Sequence, residues 1–112
     1  MKFTVAQWQQ RHRRLAARLS HLGPISQGSV QDRTHRKGGG AGYQWTRKVK
    51  GKTVTVSLTA EQYRRLKKAV ANRRELSKIL GDMEKLSRRM IFEEAPNPRR
   101  RKRLSQKVLG LI

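Results

Sequence analysis

Residues 43–58, YQWTRKVKGKTVTVSL, decide the fold. β-Branched and aromatic residues alternate with polar ones on either side of Lys50-Gly51, which predicts a β-hairpin turning at that pair. The register follows from the side chains. Pairing Tyr43 with Leu58, Trp45 with Val56 and Arg47 with Val54 gathers the apolar residues on one face. The other face pairs Gln44 with Ser57, Thr46 with Thr55 and Lys48 with Thr53, and is wholly polar. A slip of one residue would mix the two faces, so the pattern selects its own register. Two strands alone are marginal in water, and the apolar face needs a helix to pack on.

That helix is predicted immediately downstream, over residues 60–94. Thr59 and Gln62 form a capping box at its start. Leu66, Val70, Leu76, Leu80, Met83, Leu86 and Met90 trace an apolar stripe at three- and four-residue steps, interrupted at Arg73. Gly81 is a weak point within it. A rod of roughly 50 Å cannot bury such a stripe against one hairpin. It must pack on another helix of the chain, on a second copy or on a partner.

Upstream, residues 5–22 read as a helix capped by Thr4 and Gln7. Trp8, Leu15, Leu19 and Leu22 share one face, with Arg11, Arg14 and Arg18 on a neighbouring face and Arg13 beyond them. Gly23-Pro24 supplies the stop, Gly as a left-handed cap and Pro because it cannot continue. Residues 26–42, SQGSVQDRTHRKGGGAG, have no periodicity and five glycines, and read as a loop. Beyond residue 94, APNP breaks the helix and leads into RRRKR and LSQKVLGLI, where Leu104, Val108 and Leu111 fit one face of a short helix. The expectation is a single small α+β domain over residues 1–94, with a basic linker and tail over 95–112.

Composition narrows the function. The 112 residues carry 28 Lys/Arg against 7 Asp/Glu, a net charge of +21. Leu, Ile, Val and Phe make up 21% of the chain, close to the limit of about 20% below which highly charged chains stay disordered. A large core is not expected, and a polyanionic partner would relieve the like-charge repulsion. With no cysteine there is no disulfide framework, thiolate zinc site or cysteine nucleophile. No apolar run approaches the roughly 20 residues that span a bilayer. The opening MKFTVAQWQQRHRR lacks the apolar centre of a secretion signal. The expectation is a cytoplasmic protein, away from membranes and associated with nucleoid or ribonucleoprotein.

The stretches LGPISQGSV and GYQWTRKVKGKTVTVSLTAEQ, followed by a long basic helix, resemble a domain-of-unknown-function family of small basic proteins encoded in or beside bacterial transposable elements. The resemblance spans roughly residues 10–92 and rests on Gly23-Pro24, Gly28-Ser29, an aromatic before TRKV, and Gly51-Lys52-Thr53. It implies a mobile-element setting and a bacterial or phage source, and brings no activity with it. The family pattern carries a cysteine cluster, suggestive of metal, in the loop before the hairpin. Here that loop is RTHRKGGGAG, so the resemblance implies a member without the metal site.

Catalytic constellations are sparse. His12, His21 and His35 are scattered with no carboxylate at a useful spacing, and read as solvated or phosphate-contacting. Glu93-Glu94 and Asp82/Glu84 are poor metal pairs, because neighbouring helical residues point apart. Lys37-Gly38-Gly39-Gly40 is followed by a hairpin instead of a helix and is no nucleotide loop. Its use would be close approach to a phosphate chain, with Arg33, Arg36 and Lys37 supplying charge. Tyr43 and Trp45 could stack on bases, but the hairpin register needs them as core. No enzyme activity, cofactor or metal is expected.

The basic clusters are the strong signal: Arg11, Arg13, Arg14 and Arg18; Lys48, Lys50 and Lys52; Arg64, Arg65, Lys67 and Lys68; and Arg99, Arg100, Arg101, Lys102 and Arg103. A merely solvated surface also carries acids, whereas here bases exceed acids fourfold and arginine outnumbers lysine 17 to 11. Arginine's planar fork suits phosphate and base edges. The reading is a non-enzymatic nucleic-acid-binding accessory subunit of a mobile-element or phage nucleoprotein complex. It would grip mainly the phosphate backbone, with RNA slightly favoured over DNA because no helix-turn-helix is evident. A larger protein partner, or self-association through the Leu66–Met90 stripe, would complete it. The rivals are a dimeric DNA-binding regulator of transposition, a ribosomal-type structural RNA-binding protein, and a protein-docking module whose charge is secondary.

Overall fold

The structure, a computed structural model, describes residues 4–34, 42–99 and 101–112. The fold is α+β, in the order α1 (Val5–Leu19), β1 (Ser29–Asp32), β2 (Tyr43–Val49), β3 (Lys52–Leu58) and α2 (Ala60–Glu94). The chain forms two compact units, one of Leu22–Leu76 and one of Met1–His21 with Ser77–Ile112. α2 contributes its first half to the former and its second half to the latter. The tail groups with α1 and the second half of α2, so the expected boundary at residue 94 is not where the chain divides.

In the sheet unit the hairpin has the register expected from its alternation, Tyr43 opposite Leu58, Trp45 opposite Val56 and Arg47 opposite Val54. Lys50 and Gly51 take φ of 51° and 80°, the pair of positive angles that a tight two-residue hairpin turn uses. The apolar face meets α2 at the Tyr43 ring, stacked on Tyr63 with centroids 4.5 Å apart, but its Val54 and Val56 stay exposed, so the expected packing of the whole face on a helix is only partial. Trp45 donates its indole N–H to the Gln27 carbonyl at 3.0 Å and lies under the Arg47 guanidinium at 5.3 Å. Tyr43 and Trp45 are therefore fold residues, as the register required.

Residues 26–42 are not all loop. Ser29–Asp32 form a third strand, antiparallel to β2, which becomes the centre of the sheet. Val30 is the only apolar residue in SVQD, so no alternation announces it; pairing with β2 makes it a strand. Asp32 closes it by accepting the Thr34 N–H, and the Arg33 N–H meets the Gly42 carbonyl at 2.8 Å. Gly28 admits the strand. Its φ is 109°, and a Cβ there would lie 2.5 Å from Trp45 Nε1 and 2.6 Å from the Thr46 carbonyl oxygen.

The first helix stops at Leu19, three residues before the expected end. Ser20 turns its hydroxyl back onto the Ala17 carbonyl, the local competition that shortens helices at serine. The chain that follows is fastened to α2: buried Asn72 donates to the Pro24 carbonyl at 2.9 Å, and the Ser26 N–H reaches the Ala69 carbonyl. Gly23 is thus no left-handed cap. Both predicted capping boxes are present, at Thr4 with Gln7 and at Thr59 with Gln62.

The core is small, with Ala69 and Val70 in the sheet unit and Ile79 and Leu86 in the helical unit. Ile79, at 1% exposure, carries the stripe where Leu80, at 43%, was expected. Either residue sits at three- and four-residue steps from Leu76 and Met83, so spacing alone could not choose. Positions 69, 72, 76, 79, 83, 86 and 90 are all buried or half-buried and alternate in steps of three and four, with Val70 buried beside the first of them. On α1 the half-buried positions include Val5, Trp8, His12, Leu15 and Leu19. His12 therefore lies on the inward face, not fully in solvent.

The tail forms one capped turn in place of the expected short helix. Ser105 accepts the Val108 N–H, while the N–H groups of Gly110 and Leu111 bond to the carbonyls of Lys107 and Gln106. With Gly110 at φ 71° this is a Schellman ending after a single turn. Val108 stays exposed, and Leu104, Leu109 and Leu111 are half-buried. Among the described residues no helix is long and apolar enough to cross a membrane.

Candidate nucleic-acid interface

In the helical unit the predicted arginines of α1 converge with cations that the sequence pattern did not single out. Arg11, Arg14 and Arg18 recur at three- and four-residue steps and flank Leu15. Opposite them, Asp82, Lys85, Leu86 and Arg89 recur at the same steps on α2, and together these residues line a groove of about 490 Å³. Leu15 and Leu86 are its apolar members. Its charged members are five Lys/Arg against the single carboxylate of Asp82. Arg13 is exposed and does not line the groove.

Lys85 and Arg89 escaped notice because the segment 59–94 holds six of the seven acids and reads as an ordinary mixed-sign helix. The signal was present at finer scale: Arg89 stands three residues from buried Leu86 and Lys85 beside it, whereas Glu84 and Glu94 line neither the groove nor the cleft described next, which Glu93 does line.

The tail supplies a second basic surface in the same unit. Arg101, Lys102 and Arg103, with Arg89, line a cleft of about 770 Å³ that also contains Trp8 and Phe92. Arg101 holds its guanidinium 5.4 Å from the Phe92 ring centre and donates to Asn97 Oδ1. The far end of the tail is fastened to α2 where Arg88 donates to the Gly110 carbonyl at 3.3 Å. Arg99 is exposed and does not line the cleft.

The sheet unit carries its cations in a different arrangement. Lys48 projects from the polar face, Lys50 stands at the turn, and Lys52 belongs to the face of Val54 and Val56, so the hairpin lysines do not form one surface. Arg64, Arg65 and Lys68 are exposed on α2. Arg65 pairs with Glu61 at 3.2 Å, and the Lys67 ammonium lies 5.7 Å from the Tyr63 ring. Arg33 is half-buried just after β1. The predicted contacts at Arg36, Lys37 and Arg100, and the glycine run beside them, lie outside the described residues.

The Leu66–Met90 stripe, expected as a seam for self-association, is buried or half-buried within the units except at Leu80. Folding of the single chain already uses it. Among the described residues no three of His, Asp and Glu come together as a metal site. Comparison with known proteins brings no relative: no family model, no curated protein and no solved structure matches the chain.

Proposed function

We propose that this chain is a non-enzymatic nucleic-acid-binding accessory protein that holds the phosphate backbone. The observation that carries the reading is the groove between α1 and the second half of α2, with five cationic side chains against one carboxylate. Such an excess of positive charge along a groove attracts a polyanion. Arg11, Arg14, Arg18 and Arg89 can each meet a phosphate with a planar pair of donors, and Lys85 adds a point charge.

RNA is favoured over DNA because the basic residues are spread over groove, tail and hairpin instead of concentrated on one recognition helix. Membership of a mobile-element or phage nucleoprotein complex rests on the resemblance of the LGPISQGSV and GYQWTRKVKGKT stretches. A dimeric DNA regulator would need the α2 stripe as its seam, and the burial of that stripe within one chain favours the accessory reading.

The test is the protein's own cargo. Expressed at natural level and purified at moderate salt without nuclease, it should carry nucleic acid that high salt releases, enriched in one RNA or one element end. Preparations free of nucleic acid at low salt would overturn the reading. A mixture that follows cellular abundance would overturn the dedicated accessory role and leave only generic phosphate binding.

A further inference from the structure

The groove is suited to phosphates, but the cleft beside it has a different chemistry. Its volume, about 770 Å³, falls in the range of roughly 300–1,000 Å³ usual for sites that enclose a small organic group. Trp8 and Phe92 bring aromatic surface to it, and Asn97 and Gln106 bring amides that can both donate and accept hydrogen bonds. A phosphate chain alone would need neither.

Three features make the cleft a built site. Arg101 is held from two sides, over the Phe92 ring and on the Asn97 amide oxygen, and a fixed guanidinium plane is a surface on which bases stack. The tail wall is tied down by the Ser105–Gly110 turn and by the Arg88 bond to Gly110. Arg89 lines both the cleft and the groove, so the two share a border within one unit.

We propose that the cleft receives an unpaired base of a single-stranded nucleic acid whose neighbouring phosphates lie in the groove. This rests on the nucleic-acid reading above and adds a preference to it: single strands over duplexes, and strands with bases over strands without. A base inside a duplex reaches the cleft only after unpairing, which works against duplex binding.

The experiment titrates the full chain against labelled strands of about 12 nucleotides, a length within the usual span of single-strand sites. Four probes are compared: RNA, DNA of the same sequence, a blunt duplex, and an abasic strand that keeps the phosphates but lacks the bases. The base-bearing strands should bind roughly 5- to 150-fold tighter than the abasic one, the range that stacking one base on an aromatic side chain gives. Phe92→Ala should erase that difference, the base-bearing strands then binding no tighter than the abasic one. Phe92 is 37% exposed, so the variant is expected to fold, and a circular-dichroism melt verifies it. Arg101→Gln is the second variant and should narrow the same difference. Equal affinity of the wild-type protein for abasic and base-bearing strands would overturn the cleft proposal while the phosphate reading stood. Absence of salt-sensitive binding to every probe would overturn both. The RNA and DNA arms identify which sugar the site accepts.

Discussion

Replacing Gly28 by alanine tests whether the sheet depends on the close approach of β1 to the Trp45 ring. Gly28 has φ 109°, and its added Cβ would lie 2.5 Å from Trp45 Nε1 and 2.6 Å from the Thr46 carbonyl oxygen. The backbone conformation costs an alanine about 1–3 kcal/mol. Overpacking adds about 1–3 kcal/mol. Displacing the indole also removes its 3.0 Å bond to Gln27, a further ~1 kcal/mol. The total, about 3–7 kcal/mol, is a large fraction of the 5–15 kcal/mol that holds an ordinary domain together.

Gly51→Ala is the control. Gly51 also has positive φ, 80°, but nothing lies within 4 Å of its added Cβ, so only the conformational cost of about 1–2 kcal/mol applies. Urea unfolding of both variants gives the comparison, and the Trp45 indole N–H resonance reports locally on its bond to Gln27. Gly28→Ala should be the less stable by about 2–4 kcal/mol, with the resonance displaced. If the two variants cost the same, the wedge of Trp45 against Gly28 does not hold the sheet.

Three further outcomes are expected. Ile79→Ala should cost about 2–5 kcal/mol in chemical denaturation and Leu80→Ala less than half as much, because Ile79 is 1% exposed and Leu80 43%; equal costs would return the stripe to Leu80. Trp8→Phe should change stability by less than about 1 kcal/mol, since the indole N–H is buried with no acceptor among the described residues, and a large loss in a thermal melt would reveal a partner for it. Replacing Arg14 and Arg18 together by glutamine removes two of the five groove cations, and should flatten the slope of log affinity against log salt for a single strand by about 1.4; an unchanged slope would take the groove out of the interface.

Much of the fold was legible because two periodicities were clean. The hairpin register followed from a single choice that separates Tyr43, Trp45, Val54 and Val56 from the threonines, and both helix starts were marked by a threonine with glutamine three residues on. What escaped had no local signal. β1 is four residues with one apolar member, and exists because β2 offers it an edge. Ile79 and Leu80 satisfy the same spacing, so only packing distinguishes them. The path after α1 depends on Asn72 holding Pro24 from 48 residues away.

The candidate site divides in the same manner. The clusters on α1 and in the tail stood out as runs of arginine, whereas Lys85 and Arg89 were camouflaged by the acids of the same helix, Asp82 and Glu93 among their neighbours. The cleft needed the tail to turn back, and that turn depends on Arg88 meeting Gly110, a pairing no local pattern announces.

The central claim is that the groove and tail grip phosphates, and the salt dependence of binding tests it most directly. Five cations line the groove and four the cleft, with Arg89 in both, so eight line the two together. If all eight meet phosphates of a single strand, the slope of log affinity against log salt is about −5.6, and affinity falls by roughly three orders of magnitude between 50 and 200 mM salt. The account predicts a loss of at least about a hundredfold over that interval, corresponding to some five contacts. A flat response would contradict it.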